Sequence, residues 1–277
     1  METTLPLISI IITTYNCESY LESSIQSILA QSYTRWELLI VDDHSTDSTT
    51  MDIMRRYQRK YPRKIFIYQM SQNVGCYVCK NYALMLCKGD WITFQDADDV
   101  SHYHRLEIQL KTCLSRHKKA CYVSFLSRKT NQFMYAPITL FINASFFRNY
   151  IGCFHSVRFG ADSELKARLD AFFMHEYVII SKVLYFCLDR WMEIHPECIG
   201  RKQSLTNSSD TFTIRTLYTK AFQNRYYKNP ALQSGCFYTI HSNPYHNLPL
   251  TEGQKKIFGI PFDASIQIID LNEVVEK

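Results

Sequence analysis

Three short apolar runs, each closed by a polar, turn-forming cluster, govern what the first hundred residues can fold into. Leu7–Ile12 ends in Thr13-Thr14-Tyr15-Asn16, Leu38–Val41 ends in DDHSTDST from Asp42 to Thr49, and Trp91–Gln95 ends in Asp96-Ala97-Asp98-Asp99. Runs this short and β-branched predict strands buried on both faces. Helical periodicity fills the gaps between them. Leu21, Ile25, Ile28 and Leu29 recur at i, i+4, i+7 and i+8, which predicts an amphipathic helix of roughly four turns with Asn16 placed to cap it. Asp47 is placed to cap a second helix carrying Met51, Met54 and Tyr57, and Ile65–Tyr68 follows as a further strand. The segment Cys76–Cys87 predicts a third helix, and Leu106–Leu114 a fourth, with Asp99 or Ser101 available as its cap. Strand–helix alternation implies right-handed crossovers and an α/β fold with a mainly parallel sheet flanked by helices. Ligands of such sheets bind at the carboxyl ends of the strands, where these polar clusters fall.

The acidic cluster admits two readings. Asp96, Asp98 and Asp99 sit within four residues directly after a strand, and a divalent cation with hard oxygen ligands relieves the repulsion among them. The alternative is a solvated strand-to-helix turn, a setting in which Asp is common. Missing glycines narrow the chemistry. With only 8 glycines in 277 residues, neither G-x-G-x-x-G nor GxxxxGK[ST] occurs. A bound nucleotide's diphosphate must then be neutralised by basic side chains and metal; Lys80, and a cation on Asp98, are placed to do so.

Taken together, LISIIITTYNCESYLESSIQSILAQSYTRWELLIVDDHSTDST, then NVGCYVCKNYAL, then KGDWITFQDADD, resemble the inverting family 2 glycosyltransferases of GT-A fold, almost continuously from Leu7 to about Leu110. The resemblance implies that Thr13, Tyr15 and Asp43 hold the nucleotide base, with Glu18 and Asp42 close by. It implies Lys80 near the diphosphate, Asp96 at the ribose, and Asp98 on the metal, Mn²⁺ or Mg²⁺, with Asp99 adjacent. Two positions depart from the family pattern. Lys80 stands where Arg is common, so a point charge replaces a bidentate fork, and His44 stands where Gly is usual, which suggests a different loop shape. Downstream, FFRNYIG (Phe146–Gly152) resembles the segment before the acceptor-side helix. HSVRFGADSELKARL (His155–Leu169) resembles the motif carrying the catalytic base, which aligns to Asp162. The bland reading of Asp162 is a helix-start carboxylate favoured by the macrodipole. Glu164, two residues on, cannot share its helix face, and Arg168 at i+4 predicts an ordinary ion pair with Glu164.

The reaction so implied moves a sugar from a nucleoside-diphosphate donor, a UDP-sugar favoured, to a hydroxyl of a carbohydrate, lipid-linked or protein-linked glycan acceptor. A catalytically inactive nucleotide-sugar-binding module and a nucleotidyltransferase are the alternatives; the glycine-rich, Arg-containing opening of the latter is absent. The remaining constellations favour plainer roles. Cys76-x-x-Cys79 lacks the second pair a zinc site needs. His102 and His104 could assist the metal but diverge on a helix, which favours solvated or capping roles, and His241 and His246 could close over the diphosphate as a late metal ligand, although loop histidines are more often simply exposed. The run Arg55-Arg56, Arg59-Lys60, Arg63-Lys64 is a solvated helix face or, more sharply, a contact for an anionic membrane surface. Nucleic acid is not expected: the net charge is only 31 − 26 = +5 and no recognised module is present.

After about Thr206 the alternation fails, so residues 1–206 are expected to form the GT-A domain and 207–277 an extension packed on it. Leu184–Leu188 is strand-like, Thr213–Gln223 helical, and Ile266–Leu271 an edge strand or tail. Ten cysteines without a signal-like start suggest reduced thiols and a cytoplasmic setting, and no apolar run approaches the roughly 18 residues of a bilayer span.

Overall fold

Alternating residues of the first strand are divided between two cores, and that division sets the architecture. In β1 (Ile8–Thr14) the side chains of Ile8, Ile10 and Ile12 pack into one apolar cluster and Ile11 into another. β2 (Trp36–Asp42) does the same, with Leu38 and Ile40 on the first side and Leu39 and Val41 on the second. A strand with no solvated face must be covered by helices above and below. The first cluster is closed by α1 (Leu21–Leu29), α2 (Ser48–Lys60) and α4 (Arg105–Ser115). The second is closed by α3 (Cys76–Leu86) and α6 (Ala161–Phe173), and residues 216–223, helical as expected and labelled α7, add Tyr218 and Phe222 to it. The computed structural model describes residues 4–127, 132–135, 137–158, 160–187, 216–223 and 267–272.

β3 (Ile65–Met70), β2, β1 and β4 (Trp91–Asp96) are parallel neighbours in that order. The sheet then continues through further strands, of which the sequence pattern had marked only Leu184–Leu188, whose described residues 184–187 end a longer strand. β8 (Phe141–Asn143) pairs antiparallel with both β4 and β6 (Ala120–Ser127), and β7 (Gln132–Tyr135) pairs antiparallel with β6. β9 (Tyr177–Cys187) lies parallel to β6, and β5 (Asp99–Ser101) closes that edge antiparallel to β9. β10 (Ile268–Asp270) caps the opposite edge against β3, the expected edge strand, reduced to three residues. A short turn of helix, α5 (Ala144–Phe146), runs into a single π turn over Phe147–Ile151. The 206/207 boundary lies outside the described residues, yet α7 and β10 from beyond it are built into the same core and sheet.

α1 covers nine residues, shorter than predicted, because residues after Asn16 form a turn in which the Tyr20 and Leu21 N–H groups donate to Cys17 O, and the helix starts only at Leu21. Asp47 caps α2 as expected, accepting the N–H of Thr50. At the amino edge of the sheet a buried polar knot fixes the entry to β4. Ser9 Oγ donates to Glu37 Oε1 at 2.6 Å, the same carboxylate accepts the Lys88 N–H, and the Gly89 N–H donates to Ser9 Oγ at 2.8 Å. Gly89 permits this approach, since a Cβ there would lie 2.5 Å from Ser9 N and 2.7 Å from Trp91 O, both backbone atoms. Gly89→Ala is therefore expected to destabilise the fold by about 1–3 kcal/mol through overpacking, read as a lower urea midpoint with an unchanged slope; a midpoint equal to wild type would show that the knot yields without cost.

Candidate active site

Strand register brings the polar clusters to one edge. Thr13 pairs with Val41 on one side and Asp96 on the other, Thr14 pairs with Asp42, and Asp42 with Gln69. The carboxyl ends of four parallel strands thus finish level, and their loops face each other.

In the first loop Thr13 is buried, Tyr15 presents an exposed ring, and Glu18 is exposed in the turn before α1. Asn16 does not cap α1, whose N-cap position is Tyr20 without a side-chain bond. Asn16 adopts φ 46, its Oδ1 accepts the Thr46 N–H at 2.8 Å, and its own N–H donates to Ser45 Oγ. The reason is competition: the amides of the second loop have greater need of an acceptor than a helix that starts four residues later.

The second loop is held by its two aspartates. Asp42 is fully buried and accepts the Ser45 N–H at 2.9 Å, the Gln69 amide at 3.0 Å and the Ser45 hydroxyl. Asp43 accepts the N–H groups of Val74 (2.6 Å) and Gly75 (2.8 Å), the amides that open α3. Burial raises the Asp43 carboxyl from 3.8 to about 6, and the two amides, Cys79 and Arg158 only partly oppose it. His44 takes φ 64 and turns Nδ1 toward Met70 O at 3.1 Å. It occupies the left-handed conformation that glycine adopts most freely, so the loop keeps its sharp turn at a small backbone cost.

α3 carries the basic group. Lys80 is 3% exposed, with Nζ 3.5 Å from Asp96 Oδ1. Burial works against its charge, but Asp96, Cys76 and Asp162 outweigh burial and hold the amine above its ordinary range. One turn earlier on the same helix, the Tyr77 hydroxyl donates to Asp162 Oδ1 at 2.7 Å. Asp162 lies in the first turn of α6, while Glu164 faces inward, fully buried, bonded by Arg168 at 3.0 and 2.5 Å with His155 Nε2 3.6 Å away. The predicted Glu164–Arg168 pair is thus structural, and Arg168 also donates to the carbonyls of Ile151 and Cys153, fastening the chain before α6.

The acidic turn brings oxygens of Asp96, Asp98 and Asp99 within 4.8 Å of one another, with Asp96 and Asp98 partly exposed and Asp99 buried. Three hard carboxylate donors at this spacing fit Mn²⁺ or Mg²⁺. Sequence reasoning did not single out the groups that hold this turn. Gln95 donates to Ser24 Oγ at 2.7 Å and to Asp99 O at 3.2 Å, and accepts the Ser101 hydroxyl at 2.6 Å. The Asp96 N–H donates to the Tyr185 hydroxyl at 3.0 Å. Arg105, fully buried, donates to Thr93 Oγ1, Phe94 O, Ser101 Oγ and Gln109 Oε1 and lies 4.9 Å over the Tyr185 ring. A polar Gln at the end of an apolar strand was the available signal; nothing local marked Arg105 or Tyr185.

Asp99 and Ser101 do not cap α4: both lie on β5, and Gln31 Oε1 instead accepts the Leu106 N–H. His102 and His104 keep turn roles, His104 beside Glu107 and Ser32 at 3.1 Å, and neither joins the carboxylate group. Cys76 and Cys79 open α3, where burial lifts the Cys76 thiol to about 11. His241 and His246 lie outside the described residues. Arg59, Lys60, Arg63 and Lys64 sit where α2 ends and β3 begins, at the amino edge, away from the acidic turn. Among the described residues no helix is long and apolar enough to cross a membrane.

Comparison with known proteins decides the family. The sequence model described as Glycosyl transferase family 2 matches residues 9–172, more than half of the chain. The chain belongs to glycosyl transferase family 2. TuaG of Bacillus subtilis, provisionally named a teichuronic acid biosynthesis glycosyltransferase, is 34% identical over 156 residues, 53% of this chain. The match spans 60% of that relative's own length. Among solved structures, S. aureus TarS 1-349 in complex with UDP-GlcNAc superposes with a TM-score of 0.59 at 17% identity, covering 79% of this chain and 73% of that one. The mannosyltransferase PcManGT from Pyrobaculum calidifontis, in complex with GDP-Man and Mn²⁺, gives 0.58 at 19% identity, covering 88% and 68%. This family 2 chain therefore has the expected GT-A fold, a mixed sheet around a parallel centre.

The raised Asp43 carboxyl sets a pH dependence with a definite sign. Folding disfavours its ionised form, so the stability it contributes is full below the unfolded value near 3.8 and is lost as pH rises toward about 6. Asp43→Asn does not titrate and can accept only one of the two amides. Its cost relative to wild type is expected to be largest near pH 4 and to shrink by roughly 2–3 kcal/mol by pH 7, measured by urea unfolding at both pH values. A pH-independent difference would refute the assignment.

Proposed function

We propose that the chain is an inverting glycosyltransferase that moves a sugar from a nucleoside-diphosphate sugar, a UDP-sugar in first place, to an acceptor hydroxyl in glycan or polysaccharide synthesis. The observation that carries this reading is the placement of Lys80–Asp96 and Tyr77–Asp162 on a single face of α3, beside the loops that end β1 and β2. Family membership supports it, as do the nucleotide-sugar complexes named for the two structural neighbours.

In this reading the base lies against Thr13, Tyr15 and Asp43. Tyr15 offers a ring for stacking, and each Asp43 oxygen has a second lone pair beyond the amide it already accepts. Glu18 borders this end, and Asp96 meets the ribose. Lys80 places one buried positive charge near the diphosphate, where low polarity strengthens it. Asp98, with Asp96 and Asp99, would hold Mn²⁺ or Mg²⁺, which supplies Lewis-acid neutralisation of the departing diphosphate. Asp162 takes the acceptor's hydroxyl proton while that oxygen bonds to the anomeric carbon. The bond from that carbon to the diphosphate oxygen breaks on the opposite face, so the centre inverts and the nucleoside diphosphate leaves with the electron pair. The acceptor is a carbohydrate hydroxyl, free, lipid-linked or protein-linked.

Incubation with UDP-, GDP- and TDP-sugars, Mn²⁺ and a panel of glycan acceptors is expected to release nucleoside diphosphate from one donor class. Asp98→Ala and Asp162→Asn should each lower the rate by about 10²-fold or more, the usual range for a lost catalytic group. Asp162→Asn should retain the thermal shift given by the nucleotide, whereas Asp98→Ala should lose its metal-dependent part. Nucleotide binding without release from any donor would instead identify a binding module that keeps the fold without turnover.

A further inference from the structure

The residue that holds Asp162 is itself unassigned by the family pattern. Tyr77 is 7% exposed, and its ring packs 5.6 Å from that of Phe154 and 5.3 Å under the Lys80 ammonium. Its hydroxyl donates to Asp162 Oδ1 at 2.7 Å, a length typical of a phenol bonded to a carboxylate. Asp162 Oδ2 makes no hydrogen bond among the described residues. Tyr77 is also a permanent donor, because burial first and the Asp162 charge second lift its phenol well above 10.

We infer that Tyr77 is a positioning residue for the transfer reaction: its hydroxyl fixes one oxygen of Asp162 and leaves the other turned to the acceptor's proton. This inference rests on the reading of Asp162 as the base. Without the bond, a side chain in the first turn of α6 samples several rotamers and presents Oδ2 only part of the time. Other groups act on the same carboxylate: Lys80 and Cys76 from α3 and Tyr122 from β6 all sense its charge, and Asp96 lies beyond Lys80. The bond to Tyr77 is the directional element among them. Because Lys80 stands three residues after Tyr77, one face of α3 sets the spacing between the donor's diphosphate and the acceptor's oxygen.

Tyr77→Phe keeps the ring and removes one oxygen. It is expected to lower kcat about 5- to 50-fold, a fraction of a general base's whole effect. The donor KM should stay within about twofold, since Lys80 and Asp96 remain. A purely structural role for Tyr77 would instead lower the urea midpoint and raise the donor KM along with the fall in kcat. p-Aminophenylalanine at position 77, which restores a donor of the same shape, should return kcat toward wild type at an unchanged donor KM; this second variant still decides the question if the phenylalanine variant folds poorly. The outcomes separate the two layers. Full activity in Asp162→Asn overturns the base assignment, and the inference about Tyr77 falls with it. An inactive Asp162→Asn beside a Tyr77→Phe enzyme of unchanged kcat overturns only the inference about Tyr77.

Discussion

Everything at the carboxyl edge of this sheet depends on how α3 is tied down. The two amides leading into it are bonded by Asp43, and its buried side chains Tyr77 and Lys80 reach Asp162 and Asp96. Three carboxylates from three separate elements are thus referenced to one rigid rod. Gly75 makes the start of that rod possible, with φ 89 and ψ 151, a conformation open almost only to glycine. The helix in turn presents its positive amino end to a buried carboxylate, and those amides offset part of the penalty of burying Asp43.

A second constraint is electrostatic. The chain is mildly basic overall, yet Asp96 and Asp162 both act on the buried Lys80, and Asp98 and Asp99 lie beside Asp96. Such a cluster favours cations and holds Lys80 charged in spite of burial. It stays ordered because its support is saturated with hydrogen bonds. Gln95 and the buried Arg105 guanidinium each bind several partners around the β4–β5 turn. Networks satisfied this fully specify one geometry, whereas a half-satisfied one would open to water.

The parts of the fold legible in the sequence were those where local period and burial agree. β1 to β4 and their helices follow from runs of Ile, Leu and Val and from i, i+4 spacing, with strand ends displaced by a residue or two and α1 starting several residues late. β6, β7 and β8 carried no such signal: β8 is three residues long, and its strand character comes from filling the gap between β4 and β6. Capping was legible only where the cap is the nearest acceptor. Asp47 caps α2, but Asn16, Asp99 and Ser101 were drawn into contacts with other loops and strands.

By itself the sequence determined the alternation of elements, the family, and the gathering of carboxylates at strand ends, because buried strands need apolar runs and parallel strands end on one side. It also placed Glu164 with Arg168, since i and i+4 share a helix face. Only the tertiary structure decided that Asp43 closes on the start of α3, that Tyr77 reaches across to Asp162, and that Arg105 lies under the acidic turn. Those contacts join residues 31, 85 and 11 or more positions apart. Distances of that kind depend on how twisted layers pack and on which polar groups are left to satisfy one another in the interior, and no local period records either.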